Sequence, residues 1–211
     1  VSYAFDLRGP AFTLDTACSS SLVCVSAGLD YVVQGSRDTS RKSACFGANL
    51  TLSPSTTMAC ASAGMLSSSG RCKTFDANAD GYVRAEACAG IKIRTKVADD
   101  NYVTICAAAV NQDGKSSSLT APNGPAQARV IRDALELACI DEPSRVTSLS
   151  SHGTGTALGD PIEVGAAVGI LRGSSTMHNT ESKELKISDA LVLGALKSSK
   201  GHSECASGVL A

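Results

Sequence analysis

The sequence predicts an α/β protein, on the basis of three observations. Strand-like runs alternate with helices whose apolar residues recur every three or four positions. Aromatic residues make up only 4% of the 211 residues and tryptophan is absent, so the core has to be built from aliphatic side chains. The 19 glycines suit close packing of helices on a sheet. A chain of this length can form one sizeable core, and no linker or repeat divides it.

The first helix is predicted directly after a strand-like run over 9–16. Its apolar residues lie on one side at helical spacing, and they are Leu22, Val25, Leu29, Val32 and Val33. Gly35 marks the end of this helix. Cys18 lies at the corner between strand and helix, where the first amides and the positive end of the helix favour a thiolate. Cys18 is therefore predicted to be a nucleophile.

The other cysteines are predicted to have structural roles, because a free cysteine is more often a small buried residue than a catalyst. Six of the nine lie in apolar segments and are expected to be buried: Cys24, Cys45, Cys60, Cys88, Cys106 and Cys139. Cys72 and Cys205 have more polar neighbours and are expected to be partly exposed. No pair has the spacing of a zinc or redox motif. The odd number favours a reducing intracellular compartment, such as cytoplasm or plastid, and the location is otherwise open.

Further elements continue the alternation of strands and helices along the chain. Strands are predicted over 43–50, 82–93, 101–110, 146–151 and 188–196, with a hairpin over 94–100. Segment 51–70 is expected to be irregular or weakly helical, segment 173–187 to be a polar surface loop, and 203–211 to be helix-like. One helix is predicted over 125–139, opened by Pro125. Another begins with Asp160 as the cap, Pro161 in first position and Glu163 third after the cap.

Segment 76–81 resembles the beginning of a calcium-binding loop. The twelfth position of such a loop, counted from Asp76, would be Ala87 instead of the required glutamate. A turn held by aspartate and asparagine side chains is therefore predicted here.

Reactive side chains recur in one kind of place, just past the end of a predicted strand. Cys18, His152, Lys197 and His202 all have this placement. Ligands of open α/β sheets bind outside the carboxyl ends of strands, so we expect these four side chains to share one site. The third histidine, His178, lies in the polar loop and is expected to be solvated. A surface role is the alternative for any single loop histidine or lysine.

The loop over 152–156 also suggests a phosphate-binding loop. The spacing of Gly153, Gly155 and Gly159 differs from the dinucleotide fingerprint, however. These glycines instead favour close approach of backbone to a narrow ligand. The hydroxyls of Thr154 and Thr156 would bind amides of that ligand or, with equal weight, the local backbone.

Composition also limits the classes of partner. The formal net charge of −1 gives no electrostatic reason to expect nucleic acid or an anionic membrane surface. No apolar stretch approaches the length of a membrane span. The chain begins with Val1 and stops inside a helix-like segment, from which we expect an internal piece of a longer polypeptide.

Together these motifs resemble the three active-site blocks of β-ketoacyl synthases, most closely the ketosynthase domains of modular type I polyketide synthases. The three blocks lie at 15–21, 152–156 and 197–202, and further agreement is found at 5–10, 111–114, 119–125 and 157–163. The resemblance runs nearly end to end. It implies a thiolase-like α/β fold, of which residues 1–211 form one partial ketosynthase domain, the middle of a complete one.

The resemblance further implies a decarboxylative condensation. Cys18 would accept an acyl group from the phosphopantetheine of an acyl carrier protein, with backbone amides near it holding the oxyanion. His152 and His202, as neutral imidazoles, would stabilise the enolate formed from a malonyl-type extender. Lys197 and Glu163 would form an ion pair that orients the two histidines.

The same resemblance assigns the carrier arm and the partners. Thr154 and Thr156 would bind the pantetheine arm, and no metal or other cofactor is expected in the domain. Expected partners are the acyl carrier protein, neighbouring synthase domains and a second copy in a homodimer. The third block departs from the family pattern at Ser199 and Lys200, and the added cation is expected to lower the pKa of His202.

Three alternative functions are left open by the residues. A fatty-acid synthase ketosynthase would use the same side chains. A non-catalytic carrier-docking or scaffold domain would keep the fold without turnover, as the changes at Ser199 and Lys200 suggest. A cysteine hydrolase would use Cys18 and one histidine, but it leaves the second histidine and Lys197 unexplained.

Overall fold

The computed structural model describes residues 1–35, 41–95, 102–118, 121–173 and 190–211. These residues contain six α-helices and four β-strands. The helices are α1 (Ser20–Gln34), α2 (Pro54–Ser62), α3 (Gly124–Leu137), α4 (Gly159–Leu171), α5 (Lys197–Lys200) and α6 (Ser207–Leu210). The strands are β1 (Lys42–Asn49), β2 (Ala87–Arg94), β3 (Ser148–Ser150) and β4 (Val192–Gly194). Short 3₁₀ turns occur at Ala17–Ser19, Pro143–Arg145 and Glu204–Ala206.

One hydrophobic core lies between α1 and the antiparallel pair of β1 and β2. In this pair Lys42 lies opposite Arg94 and Asn49 opposite Ala87. The buried side chains of the core are Val25, Val32, Cys45 and Ile93. Gly28 lies at the contact of α1 with β1, because a Cβ atom there would be only 2.5 Å from the sulfur of Cys45. A small residue therefore lets the helix approach the sheet closely.

The parallel pair of β3 and β4 places the ends of two strands at one edge. Leu149 lies opposite Leu193, and the amide of Ser151 donates to the carbonyl of Gly194 at 2.7 Å. Helices α3 and α4 pack against each other. Because parallel strands end at the same edge, the segments that follow β3 and β4, with His152 and Lys197, emerge next to each other.

A connection from α6 back to α1 joins the C-terminal segment to the helix that follows Cys18. The Ser21 hydroxyl on α1 accepts hydrogen bonds from the amides of Gly208 and Val209, at 3.0 and 3.2 Å. Ser21 is 1% exposed, so this contact is shielded from water. The segment that carries His202 is thereby attached to the first turn of α1.

Most elements with clear periodicity are confirmed. These are α1 with its end at Gly35, β1, a helix within 51–70, α3, β3, α4, a shortened β4 and the helical segment after 203. The apolar stripe of α1 is only half buried, since Leu22 is 55% and Val33 61% exposed. The turn over 76–81 is also confirmed, with the Asp76 carboxylate accepting from the Asn78 amide at 2.7 Å. The described residues contain no cluster of metal-ligating side chains.

Several predicted strands are wrong. Segment 9–16 is not a strand, and β2 begins only at Ala87 and pairs with β1 instead of 101–110. Residues 102–110 are not a strand either. In the part of the chain that the structure describes, neither segment has a neighbouring strand to pair with, and a strand is stable only with such a partner. Most of the hairpin over 94–100, most of the loop over 173–187 and His178 lie outside the described residues.

The predicted exposure of the cysteines is partly wrong. Cys88, Cys106 and Cys139 are exposed, whereas Cys72 is buried. Cys72 lies where two loops meet, and its sulfur accepts a hydrogen bond from the Val83 amide at 3.3 Å. All nine cysteines are free thiols.

Candidate active site

Cys18 lies in a strained turn directly before α1. Ala17 adopts a left-handed conformation with φ of 55°, which costs an alanine about 1–3 kcal/mol. Two hydrogen bonds hold it: the Asp15 carboxylate accepts from the Ala17 amide at 3.0 Å, and the Ser20 hydroxyl donates to the Ala17 carbonyl at 2.6 Å. This turn places Cys18 at the beginning of the helix with its side chain partly exposed.

His202 is in direct contact with the sulfur of Cys18. Its Nε2 lies 3.0 Å from Sγ, and the residue is 1% exposed. The Glu204 amide donates to Nδ1 at 3.2 Å, and the Ser207 hydroxyl lies 3.0 Å from Nδ1 and 2.7 Å from the Glu204 carbonyl, with one proton to donate to either acceptor. An amide nitrogen can only donate, so Nδ1 is an acceptor and the proton of the neutral ring is on Nε2. That N–H points at the sulfur.

The backbone of His202 is held by the segment over 83–85. The His202 amide donates to the Val83 carbonyl at 2.8 Å, and the Ala85 amide donates to the His202 carbonyl at 2.9 Å. Gly201 just before it has φ of 77° and ψ of 179°, a conformation that is nearly restricted to glycine. The ring of Tyr82 packs edge-on against the His202 ring, 5.0 Å between centroids.

His152 follows β3 and lies beside His202. The two ring centroids are 5.5 Å apart and the rings are perpendicular. Glu163 holds the backbone of this segment, because its carboxylate accepts from the amides of His152 at 2.5 Å and Gly153 at 2.9 Å. His152 itself stays exposed on one side. Glu163 therefore binds the main chain of His152 and not its imidazole ring.

The glycine–threonine loop after His152 is held by Asp160. This carboxylate is 4% exposed and accepts from the amides of Gly155 at 3.1 Å, Thr156 at 3.4 Å and Phe75 at 2.9 Å. The prediction that Asp160 caps α4 is wrong: Leu158 is the cap residue. Asp160 lies inside the first turn, and its oxygens bind the preceding loop instead of the helix amides.

The two threonines of this loop are adjacent. Their hydroxyl oxygens lie 3.4 Å apart, and that of Thr156 accepts from the Gly159 amide at 3.2 Å. Thr154 is 7% exposed. Gly155 has φ of 78°, and a Cβ there would lie 2.6 Å from the backbone nitrogen of Lys73, so only glycine fits. Thr156 thus takes part in local structure, which was one of the two expected roles.

Lys197 is 6% exposed and begins α5. The predicted ion pair with Glu163 is wrong at contact distance: within the described residues, the pairs with nitrogen and oxygen within 4 Å are Arg8–Asp6, Lys73–Asp80 and Arg84–Glu204. The Glu163 carboxylate is instead directed at the backbone amides of His152 and Gly153, one for each of its oxygens. The carboxylate acts on Lys197 only through space.

Comparison with known proteins identifies the family. The profile of the β-ketoacyl synthase N-terminal domain matches residues 1–97, and that of the β-ketoacyl synthase C-terminal domain matches 102–211. The chain belongs to the β-ketoacyl synthase family. It is 41% identical to a phenolphthiocerol/phthiocerol polyketide synthase polypeptide of Mycobacterium tuberculosis, over 99% of this chain and 9% of that protein. Identity to a second polypeptide of the same synthase and species is 40%, over 99% of this chain and 13% of the relative.

Solved ketosynthase domains share the fold of this ketosynthase chain. An oxazolomycin ketosynthase domain from Streptomyces albus is 33% identical with a TM-score of 0.84, covering 98% of this chain and 34% of that one. The ketosynthase from module 6 of the bacillaene synthase of Bacillus subtilis is 34% identical with a TM-score of 0.84, covering 99% and 36%. The fold is therefore thiolase-like α/β, and the chain spans about a third of the length of those two structures. None of the helices in the described part of the chain combines the length and apolar character needed to cross a membrane.

The surroundings of His152 and His202 favour the neutral form of both rings. Burial lowers the pKa of His202 to about 4, with smaller contributions from His152 and the Lys197 ammonium. Loss of hydration and Lys197 also lower the pKa of His152 to about 4, although its open side lets water moderate that shift. The expected influence of Lys200 on His202 is wrong, because Lys200 is exposed and the cation that acts on the ring is Lys197.

The thiol of Cys18 is not ionised by its helix alone. Burial, and after it the Glu204 carboxylate, raise the pKa of Cys18, while Lys197 and a backbone hydrogen bond lower it. We expected the helix terminus to lower the pKa of Cys18 and favour the thiolate; this is wrong, because the combined effect of all groups raises that pKa. The remaining group that favours the thiolate is the Nε2–H of His202, at 3.0 Å from the sulfur. For Lys197, burial lowers the pKa and the Glu163 carboxylate opposes that effect.

Several residues that build this site were not recognised in the sequence. The sequence predicts Asp160 only as a helix cap, and it predicts no role for Ala17, Arg84, Glu204 or Ser207. Glu204 and Ser207 lie within five residues of His202, so a local search around each histidine would have found them. Arg84 gave no such signal, because it meets Glu204 across 120 residues of sequence.

Proposed function

We propose that this chain is part of one ketosynthase domain that elongates a polyketide by decarboxylative condensation. The observation that carries the proposal is the contact of 3.0 Å between the Nε2 of His202 and the sulfur of Cys18, with the His152 ring next to it. The relatives of 39–41% identity are components of polyketide synthases, which disfavours the fatty-acid synthase alternative. Because the chain spans about a tenth of those relatives, substrates and partners are part of the proposal.

Acyl transfer to Cys18 is the first proposed step. The sulfur attacks the thioester carbon of an acyl group carried on the phosphopantetheine of an acyl carrier protein. A bond forms between this carbon and Sγ, the bond to the pantetheine sulfur breaks, and the thiol proton of Cys18 ends on the departing pantetheine. The Nε2–H of His202 stabilises the thiolate as it forms, which offsets the raised pKa of Cys18.

Decarboxylation and condensation follow. A malonyl-type extender on the carrier loses carbon dioxide, and the electron pair of the broken bond forms an enolate. His152 and His202 are neutral near pH 7, so each can donate one N–H to the enolate oxygen. The enolate carbon attacks the acyl-Cys18 carbon, a carbon–carbon bond forms, and the cysteine leaves as thiolate. The lost carboxylate drives the reaction, so this scheme uses no redox cofactor.

Lys197 and the threonine pair complete the proposed site. The Lys197 ammonium is buried and makes no side-chain hydrogen bond to the described residues, so it supplies positive potential to the thiolate and adds to the effect of burial, which lowers the pKa of both histidines. Thr154 and Thr156 are proposed to bind the pantetheine arm. We expect the intact domain to work with an acyl carrier protein, neighbouring synthase domains and a second copy of itself.

Glu163 is proposed to be a positioning residue in place of an ion-pair partner. It binds the amides of His152 and Gly153 and thereby fixes where the histidine leaves β3. The scaffold alternative gains no support from the departures at Ser199 and Lys200. Both are exposed, and the Ser199 hydroxyl donates to the Leu196 carbonyl, away from the reacting groups.

The experiment that tests the proposal uses the intact protein that contains this chain. It is incubated with an acyl-carrier protein and a malonyl-carrier protein, and the products are identified by mass spectrometry. We expect a β-ketoacyl-carrier product that is lost in Cys18→Ala and kept in Cys88→Ala, which changes an exposed cysteine of β2. Release of free acid would indicate a hydrolase, and absence of any acyl-enzyme would indicate a scaffold. Either result would overturn the proposal.

A further inference from the structure

Arg84 and Glu204 form a forked ion pair next to the reacting groups. The Arg84 Nε and Nη2 donate to the two Glu204 oxygens at 2.5 and 3.1 Å, and Nη1 donates to the Thr57 hydroxyl at 2.6 Å. The side chains are 8% and 19% exposed, so the pair is largely shielded from water. It joins three segments: α2, the segment over 83–85 that pairs with His202, and the turn Glu204–Ala206.

Glu204 holds the ring of His202 with its main chain. Its amide donates to Nδ1 at 3.2 Å, and its carbonyl lies 2.7 Å from the Ser207 hydroxyl, which is also 3.0 Å from Nδ1. Its backbone is left-handed, with φ of 44°, a conformation that a glutamate adopts only when its surroundings enforce it. The carboxylate that Arg84 binds thus belongs to the residue whose amide fixes the histidine.

We propose that the Arg84–Glu204 pair is a positioning device that keeps the neutral His202 protonated on Nε2, toward the sulfur of Cys18. Arg84 holds the carboxylate, the carboxylate holds the left-handed turn, and the turn aims the Glu204 amide at Nδ1. Neither side chain touches the reacting atoms, so both are positioning residues. The consequence for condensation rests on the proposed function, whereas the consequence for the Cys18 thiol does not.

A purely structural ion pair makes different predictions from a positioning pair. Removing Arg84 alone leaves a shielded carboxylate without its partner, which destabilises any protein. Removing both charges relieves that penalty and restores stability under either account. Only under the positioning account does the doubly changed protein stay impaired, because nothing then fixes the turn that aims the Glu204 amide at the ring.

The test compares Arg84→Met with the double variant Arg84→Met/Glu204→Gln in the intact protein that contains this chain. Three quantities are measured: thermal stability, the split of kcat and KM for malonyl-carrier condensation, and the pH profile of Cys18 alkylation by iodoacetamide, read by peptide mass spectrometry. Arg8→Met is the matched control, because Arg8 pairs with Asp6 on the exposed surface.

For Arg84→Met we expect kcat to fall about 10- to 100-fold with little change in KM, by analogy with the loss of a group that orients a metal-binding histidine. Cys18 alkylation should move to higher pH, since the Nε2–H and the counter-charge to Glu204 are both weakened. The groups that act on this thiol are Glu204 and Cys205 of the turn, Lys197 of α5 and His202. Arg84→Lys keeps the charge without the fork and should recover part of kcat.

The double variant decides between the two accounts. Glu204 raises the pKa of Cys18, so loss of its charge alone would shift the alkylation profile to lower pH than in the wild type. The positioning account is supported if the double variant recovers its melting temperature but keeps a low kcat and an alkylation midpoint at or above the wild-type pH. Recovery of both melting temperature and kcat would overturn the inference, as would wild-type values for Arg84→Met. If the wild type itself makes no β-ketoacyl product, the proposed function fails, and the alkylation profiles still test the ion pair.

Discussion

Replacing Gly201 by alanine adds a single methyl group, and we expect it to lower both the stability of the protein and the activity that depends on His202. Gly201 directly precedes His202 and has φ of 77° and ψ of 179°, where side-chain-bearing residues are almost never found. It also faces the segment over 83–85 whose backbone pairs with His202. One added methyl group therefore acts on both supports of the histidine.

The magnitude follows from two costs. An alanine in that backbone conformation costs about 1–3 kcal/mol. Its Cβ would lie 3.1 Å from the Ala85 Cβ, 3.2 Å from Val83 Cγ1 and 3.3 Å from the Val83 carbonyl oxygen, and such crowding costs about 1–3 kcal/mol more. We expect the free energy of unfolding to fall by about 2–6 kcal/mol. A shift of His202 by about 1 Å would lower condensation on the order of 100-fold.

The assay is denaturant unfolding of the intact protein together with the rate of β-ketoacyl formation. Gly165→Ala is the matched control: this glycine lies inside α4 with no atom within 4 Å of the added methyl group. Alanine there should stabilise the protein by about 0.5–1 kcal/mol and leave the rate unchanged. A Gly201→Ala protein with the unfolding free energy and condensation rate of this control would show that the backbone at Gly201 does not support His202.

Three further predictions follow from the electrostatics and the buried carboxylate. His202 has a pKa of about 4 in the folded protein and about 6.5 in the unfolded chain, so the unfolded chain takes up the proton first as the pH falls. The free energy of unfolding should therefore decrease between about pH 6.5 and pH 4, by at most about 3 kcal/mol. Denaturation at several pH values checks this, and a slope that His202→Gln does not reduce would contradict it. Lys197→Met should raise the pKa of Cys18 and of both histidines, and iodoacetamide alkylation that does not shift to higher pH would count against the role given to Lys197. Asp160→Asn should cost about 2 kcal/mol of stability and raise KM for the carrier, because the amide cannot accept all three backbone N–H groups; unchanged melting and KM would be inconsistent with the hydrogen bonds described.

Local patterns predicted much of the fold. α1, α3 and β1 follow from apolar periodicity and from stop or start residues such as Gly35 and Pro125. The strands assigned to 9–16 and 101–110 failed because a strand depends on a distant partner, which no local pattern reveals. The same reason explains why the pairing of β2 with β1, far earlier in the chain, was not predicted.

For the site, the sequence predicts the reacting side chains but not the residues that hold them in place. The placement of Cys18, His152 and His202 after strand-like runs predicted one shared site, and the structure brings these three side chains together. The residues that hold these side chains in place are harder to predict. A carboxylate looks the same in a sequence whether it caps a helix, pairs with a lysine or accepts hydrogen bonds from backbone amides. Asp160 and Glu163 both belong to the third kind. Only the folded structure separates these cases.

We propose above that Cys18 is the thiol that carries the growing chain, next to a neutral His202. The most direct test is to react the intact protein with an acyl-carrier substrate, digest it, and map by mass spectrometry which of the nine cysteines is acylated. We expect acylation at Cys18 alone, followed by loss of that mass and appearance of a β-ketoacyl product when malonyl-carrier is added. An acyl group on another cysteine, or an acyl-Cys18 that malonyl-carrier cannot discharge, would contradict it.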